Sequence, residues 1–160
     1  MWRRGAREEA INHLLAMLKL NPDDNQGVRY VLADWLVDAE RNAELAELLK
    51  QYQDDDMAAW SWTTALAAFR RDGDSEASRK ALAKAVKSNK HVPDYLLGEE
   101  PLPKTLPPFL SPGQKDEAIH YVAGGRTGWL ATSGSLDWLR HRLAAPKPAR
   151  RSPARKPEKN

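Results

Sequence analysis

Read for apolar positions alone, the first seventy residues alternate between stripes and polar breaks. Ala10, Ile11, Leu14, Leu15 and Leu18 form one stripe, Val28, Val31, Leu32 and Trp35 a second, Leu45, Leu48 and Leu49 a third, and Trp62, Ala65, Leu66 and Phe69 a fourth. These follow the i, i+3, i+4, i+7 spacing that lines up apolar side chains on one face of an α-helix. The breaks hold Pro22 with Asp23 and Asp24, the run Asp54, Asp55 and Asp56, and Asp72-Gly73-Asp74. Aspartate just ahead of a helix accepts hydrogen bonds from its first free N–H groups and complements the positive end of the helix dipole. The breaks are therefore expected to end one helix and cap the next, and the triple aspartate to be a cap rather than a calcium site.

The pattern also recurs at a fixed interval. Leu14, Leu48 and Leu82 are 34 residues apart, as are Gly5, Ala39 and Gly73, and Asn21, Asp55 and Asn89. Val28 and Trp62, Val31 and Ala65, Leu32 and Leu66, and Trp35 and Phe69 keep the same step. Two helices per 34 residues is the tetratricopeptide period. The expected fold is all-α, a tetratricopeptide-like helical repeat (an α-solenoid) over residues 1–98, with Leu32, Leu66 and Lys90 departing from the consensus repeat. Aligning Gly5 with Gly73 leaves the first repeat truncated, with Met1 and Trp2 in the last turn of a helix that would begin before the sequence does. The helix from about Arg7 to Lys19 would then lack an upstream partner, and an exposed apolar patch favouring self-association is expected there. A fourth repeat opens at His91-Val92-Pro93-Asp94-Tyr95 and should abort, because Gly98 and Pro101 cannot continue a helix.

Residues 99–143 change character. Five of the eleven prolines fall in residues 101–112, which predicts an extended strap over the helical layer, pinned by Leu102, Leu106, Phe109 and Leu110. Ser111-Pro112 has the form of a cap with proline at the first helical position, opening a helix through residues 116–122 that stops at Gly124-Gly125. Thr132 is placed to cap a last helix, with Leu136, Leu139 and Leu143 facing inward. From Ala144 onward the sequence has six Lys or Arg (Lys147, Arg150, Arg151, Arg155, Lys156 and Lys159) against one Glu. Of the net charge of +3, this tail supplies +5, so residues 1–143 hold about −2. Rich in proline and poor in apolar side chains, residues 144–160 are expected to be a disordered basic tail.

The segments LNPDDNQGVRY and HVPDYLLG, the proline strap, DEAIHYV and GSLDWL, in this order, resemble the suppression of tumorigenicity 7 protein family and its bacterial tetratricopeptide relatives over roughly residues 6–143. That resemblance implies a helical repeat scaffold without catalytic residues to carry across. The upstream membrane segments of its eukaryotic members have no counterpart in this sequence. AGGRTG, residues 123–128, interrupts a stretch where those relatives continue helically.

No motif announces a reaction. The sequence has no cysteine, which fits a reducing, cytoplasmic setting and leaves no thiolate chemistry. His13, His91, His120 and His141 show no metal-ligand spacing, no serine stands in a GxSxG context, and GGRTG lacks the GK[ST] ending of a phosphate loop. No run of about 18 apolar residues is present to span a membrane. The expectation is a non-enzymatic scaffold with no cofactor and no metal. In tetratricopeptide folds the first helix of each repeat lines a concave groove, and carrying that over nominates Gln26, Arg29, Trp60, Thr63, Arg70 and Arg71 for holding a peptide or partner subunit. Trp60 lies two residues before Trp62 and points some 200° away from it, at about 100° per residue. It either packs under a neighbouring helix or anchors a ligand. The three arginines suit an acidic peptide or the terminal carboxylate of another protein. The alternative is binding of nucleic acid or an anionic surface through the tail, by counterion release and without sequence preference.

Overall fold

The computed structural model describes residues 4–144, and every regular element among them is a helix. In order along the sequence these are α1 (Arg4–Leu20), α2 (Val28–Asp38), α3 (Asn42–Gln51), α4 (Ala58–Asp72), α5 (Glu76–Ser88), α6 (Val92–Leu96), α7 (Lys115–Ala131) and α8 (Ser135–Ala144). The basic tail from Ala145 on lies outside the described residues. So do Met1 and Trp2.

The apolar stripes fold as their spacing requires. Ile11 and Leu18 of α1, Leu32 and Leu36 of α2, Leu45 and Leu48 of α3, Trp62 and Leu66 of α4 and Leu82 of α5 all enter one core. Leu14 and Leu15 of α1 pack against it half-buried, while Leu20 is exposed. The polar breaks end and begin helices as expected, except that α5 is capped by Ser75, whose hydroxyl accepts from the Ser78 amide, and not by Asp74. Both oxygens of Asp24 accept backbone N–H groups at the start of α2, from Val28 at 2.8 Å and Arg29 at 3.0 Å. Gly27, at φ 68°, makes the left-handed step that no other residue type takes as readily. Asp55 accepts from the amide of Met57, the residue before α4. Asn89, at the same step further on, closes α5 and accepts from the His91 amide. α6 stops after five residues, and Gly98 turns away at φ 76°.

The C-terminal third departs from expectation at five points. First, α7 does not stop at Gly124-Gly125 but runs through both glycines and Gly128 to Ala131. Second, Ser111-Pro112 does not open that helix: Ser111 belongs to the preceding turn, its carbonyl accepting from Gln114 and its amide donating to Asp116. Third, Thr132 does not cap α8 with its hydroxyl, which donates to the Gly128 carbonyl of α7 instead. Fourth, of the four apolar residues expected to pin the proline strap only Leu102 packs on the core; Leu106, Phe109 and Leu110 are 47%, 76% and 48% exposed. Fifth, in α8 Leu139 is buried and Leu136 packs half-buried, whereas Leu143 faces solvent and Trp138 takes the inward place, stacked on Phe69.

α7 packs on α2, α4 and α6. It therefore lies over α2 and α4, the same helices that a repeat reading assigns to a groove.

Candidate functional site

Of the six groove candidates, Arg29, Trp60, Thr63 and Arg70 lie on α2 and α4 and are engaged within the protein itself, in separate clusters, while Gln26 and Arg71 are exposed. Arg29, near the start of α2, is held between two polar breaks: Nη1 donates to Asp24 at 2.9 Å and Nε to Asp55 at 2.9 Å. Its guanidinium also lies over three rings, 4.5 Å from the centroid of Tyr30, 5.1 Å from Tyr52 and 6.0 Å from Trp60. Burial alone would lower the Arg29 pKa, but the bonds to Asp55 and Asp24 raise it above the ordinary value. Burial likewise pushes Asp55 up, and hydrogen bonds from Tyr30, the Met57 amide and Arg29 outweigh it and hold the carboxyl below its usual range. Tyr30 donates to the same Asp55 oxygen at 2.6 Å, and burial with that bond pushes its pKa up to about 12. This cluster ties the α1–α2 turn to the α3–α4 turn.

Trp60 is the member that sequence leaves between two roles. It is 2% exposed, packed edge-on against Tyr30 and Tyr52 with ring centroids 5.8 and 6.0 Å away, so it lies beneath neighbouring helices. Thr63, one turn on, is buried. Arg70, at the end of α4, bridges two helix ends. Its Nη1 donates to the Val37 carbonyl of α2 at 2.9 Å, its Nη2 to the Gly128 carbonyl of α7 at 3.2 Å, and its Nε to Thr132 Oγ1 at 2.7 Å. Burial lowers its pKa despite the nearby charges of Glu40 and Asp38. Gln26 and Arg71 remain exposed, Arg71 in an ion pair with Asp72. Lys147, Arg150, Arg151, Arg155, Lys156 and Lys159 lie outside the described residues.

Glycine is what lets α7 lie so close. A Cβ on Gly124 would come within 2.8 Å of Asp34 Oδ2, and one on Gly128 would overlap Val37 Cγ1 and meet Leu66 Cδ2 at 3.5 Å. Asp34 is therefore pressed against the α7 backbone, and burial followed by the charge of Asp38 raises its pKa to about 6. Tyr30, Glu117, His120, Tyr121 and Leu110 line the small cavity beside it, of about 230 Å³. Sequence reasoning misses Glu117 altogether. Buried on α7, it accepts from the first amide of α4 (Ala58, 2.9 Å), from Asn89 Nδ2 (2.9 Å) and from the Gly113 amide (2.6 Å). Its signal is a lone acidic residue on an apolar stripe, but its partners lie 28 and 59 residues away.

A second surface lies between α1 and α3. Leu15, Leu18, Pro22, Ala43 and Leu48 line an open groove of about 720 Å³, with Lys19, Glu44, Glu47 and Lys50 also at its walls. Among the described residues no cluster of three or more His, Cys, Asp or Glu side chains is arranged to hold a metal ion. No helix among them is long and apolar enough to cross a membrane.

A family model described as Transcriptional repressor TCF25 matches residues 1–106. No curated protein and no solved structure matches this sequence. The match overturns the resemblance to the suppression of tumorigenicity 7 family: the quoted segments are helix-turn and helix-stop patterns, and such patterns recur wherever short helices alternate with capped breaks.

Proposed function

The chain belongs to the transcriptional repressor TCF25 family, and from that premise we propose that it is a non-enzymatic interaction module, holding a peptide or a segment of a partner subunit. In this reading residues 1–98 are a tetratricopeptide-like stack of hairpins, residues 99–143 a unit that closes the α2–α4 face, and residues 144–160 a basic tail. The observation that carries it is the α1–α3 groove. Its volume of about 720 Å³ falls in the range of ligand-holding clefts, its floor is apolar, and it lies wholly inside the residues the family model matches. Lysines and glutamates both flank it, so the segment it suits is apolar with charges of both signs, rather than the uniformly acidic one that the arginines suggest in sequence. Binding on the α2–α4 face, the form expected from the tetratricopeptide comparison, would require α7 to leave that face.

The family's description as a transcriptional repressor favours a second reading beside it, in which the tail holds nucleic acid through its six cations. One set of baits separates the two: the full-length protein, a form lacking residues 145–160, and Leu15→Glu, each presented to an extract of the source cell. The groove reading expects a protein partner that survives tail deletion and is lost at least about tenfold in Leu15→Glu, with the helical circular dichroism unchanged. Loss of all binding on tail deletion, with a steep dependence on salt, would replace it by the second reading.

A further inference from the structure

Two carboxylates stand on α2, and the fold treats them differently. Asp38 is met by Arg7 at 2.9 Å, whereas Asp34, one turn earlier, accepts no hydrogen bond and joins no ion pair among the described residues. Asp34 is nonetheless turned inward. Its Oδ2 lies against the α7 backbone at Gly124, and its side chain lines the cavity of about 230 Å³ between α2, α7 and the start of α4. Leu110, also in the wall, is half exposed, so the cavity lies next to solvent. Charge around it is of one sign. Glu117 beside Asp34 accepts only N–H groups, those of Ala58, Asn89 and Gly113, and no Lys or Arg lines the cavity. Arg29, on the same helix as Asp34, is turned to Asp24 and Asp55. His120 is the residue of the wall that can gain a positive charge, and its Nε2 is taken up by the Pro107 carbonyl at 2.8 Å.

We propose that this cavity is a binding site for a primary ammonium on a short alkyl chain, which pairs with the Asp34 carboxylate while its carbons lie against Met57, Ala59, Leu110 and the tyrosine rings. The site is separate from the α1–α3 groove and does not depend on it. Burial, then the charge of Asp38, sets the Asp34 pKa at about 6, so at pH 7.5 the carboxyl is ionised and unpaired. A cation supplies the missing partner, and in a half-dry wall that pairing is worth more than in water. A hard metal ion fits poorly, because it asks for about six oxygen ligands and no group of three acidic or imidazole side chains is placed to hold one among the described residues. A guanidinium fits poorly too. Its fork calls for both carboxylate oxygens, and Oδ2 is pressed against Gly124, whereas an ammonium is a point charge that one oxygen can meet. Volume sets the length. At the roughly 30 Å³ that a water molecule occupies in the liquid, the cavity holds about seven non-hydrogen atoms. That is enough for the four-carbon stem and ammonium of a lysine side chain, and too few for a drug-sized ligand or a peptide segment.

The direct probe is n-butylammonium chloride, with n-butanol as its uncharged counterpart of the same length. The protein is titrated with each at pH 7.5 and constant salt while the Asp34 carboxyl carbon is followed by NMR. The proposal expects saturable binding of butylammonium, at least about tenfold tighter than of butanol. With the cavity filled, the Asp34 titration midpoint should fall from about 6 to below about 5. Asp34→Asn, which keeps the shape and removes the charge, should weaken butylammonium at least about tenfold with the helical circular dichroism unchanged. N-acetyl-lysine N-methylamide separates the two sources of such a group: binding like that of butylammonium assigns the site to a lysine side chain of another protein, and binding of butylammonium alone assigns it to a free amine. Butylammonium that leaves the Asp34 resonance unmoved, or that binds Asp34→Asn as tightly as the native protein, overturns the proposal. So does butanol that binds as tightly as butylammonium.

Discussion

Arg70 and Arg71 are adjacent in sequence and have opposite surroundings, which makes them a measure of what a guanidinium contributes here. Arg70 reaches three acceptors on two helix ends, and without it the carbonyls of Val37 and Gly128 lose a charged donor in a half-buried place. Arg70→Met should lower stability by roughly 2–3 kcal/mol in urea titrations, whereas Arg71→Ala should stay within about 0.5 kcal/mol, its ion pair being exposed. Asp34 gives a pH signature. Its folded pKa of about 6 lies above the ordinary 3.8, so the folded state binds the proton more tightly than the unfolded one. The favourable contribution of this group is full below about pH 4 and is lost as pH rises through about 6. Asp34→Asn should therefore stabilise the protein by on the order of 1–2 kcal/mol at pH 7.5. The gain should vanish below pH 4, checked by urea midpoints of both proteins across that range. At this scale sequence shows which residues bear charge but not which face inward. Arg29 reads as a free cation until Asp24 and Asp55, 5 and 26 residues away, are brought to it.

Helices α1 to α4 are legible in their stripes because each buries one face and places polar residues at its breaks. α7 is legible only in its first half. Glycine inside a helix costs about 1 kcal/mol against alanine, so Gly124, Gly125 and Gly128 read as an end. The cost is offset by an approach to α2 that no larger residue permits, and that approach is a tertiary fact with no local signature. The consequence is an inverted substitution. Gly128→Ala, which raises intrinsic helix propensity, should instead destabilise by roughly 2–3 kcal/mol because its methyl meets Val37 and Leu66. Val37→Ala in the same background should recover part of that loss, measured as the coupling in a double-mutant cycle. The proline connection misleads for a related reason. Its apolar residues look like anchors, but a segment without regular backbone pairing places them by what it passes over, and only Leu102 passes over the core.

Across the whole molecule, the same helices that a repeat reading assigns to an open groove bear the protein's own C-terminal pair. Trp60 and Thr63 are buried, Arg29 and Arg70 are engaged within the protein, and Glu117 anchors the pair from below. The α1–α3 groove is left as an open apolar surface in the part of the sequence that the family model matches. The central claim is that α7 continues through its glycines and lies directly on α2. The most direct test is the nuclear Overhauser contact between the Val37 γ-methyl and the Gly128 α-protons in the full-length protein. The account predicts a strong cross-peak, since a Cβ at 128 would overlap that methyl. Its absence, with the Val37 methyl instead showing only contacts within α1 to α4, would contradict the account.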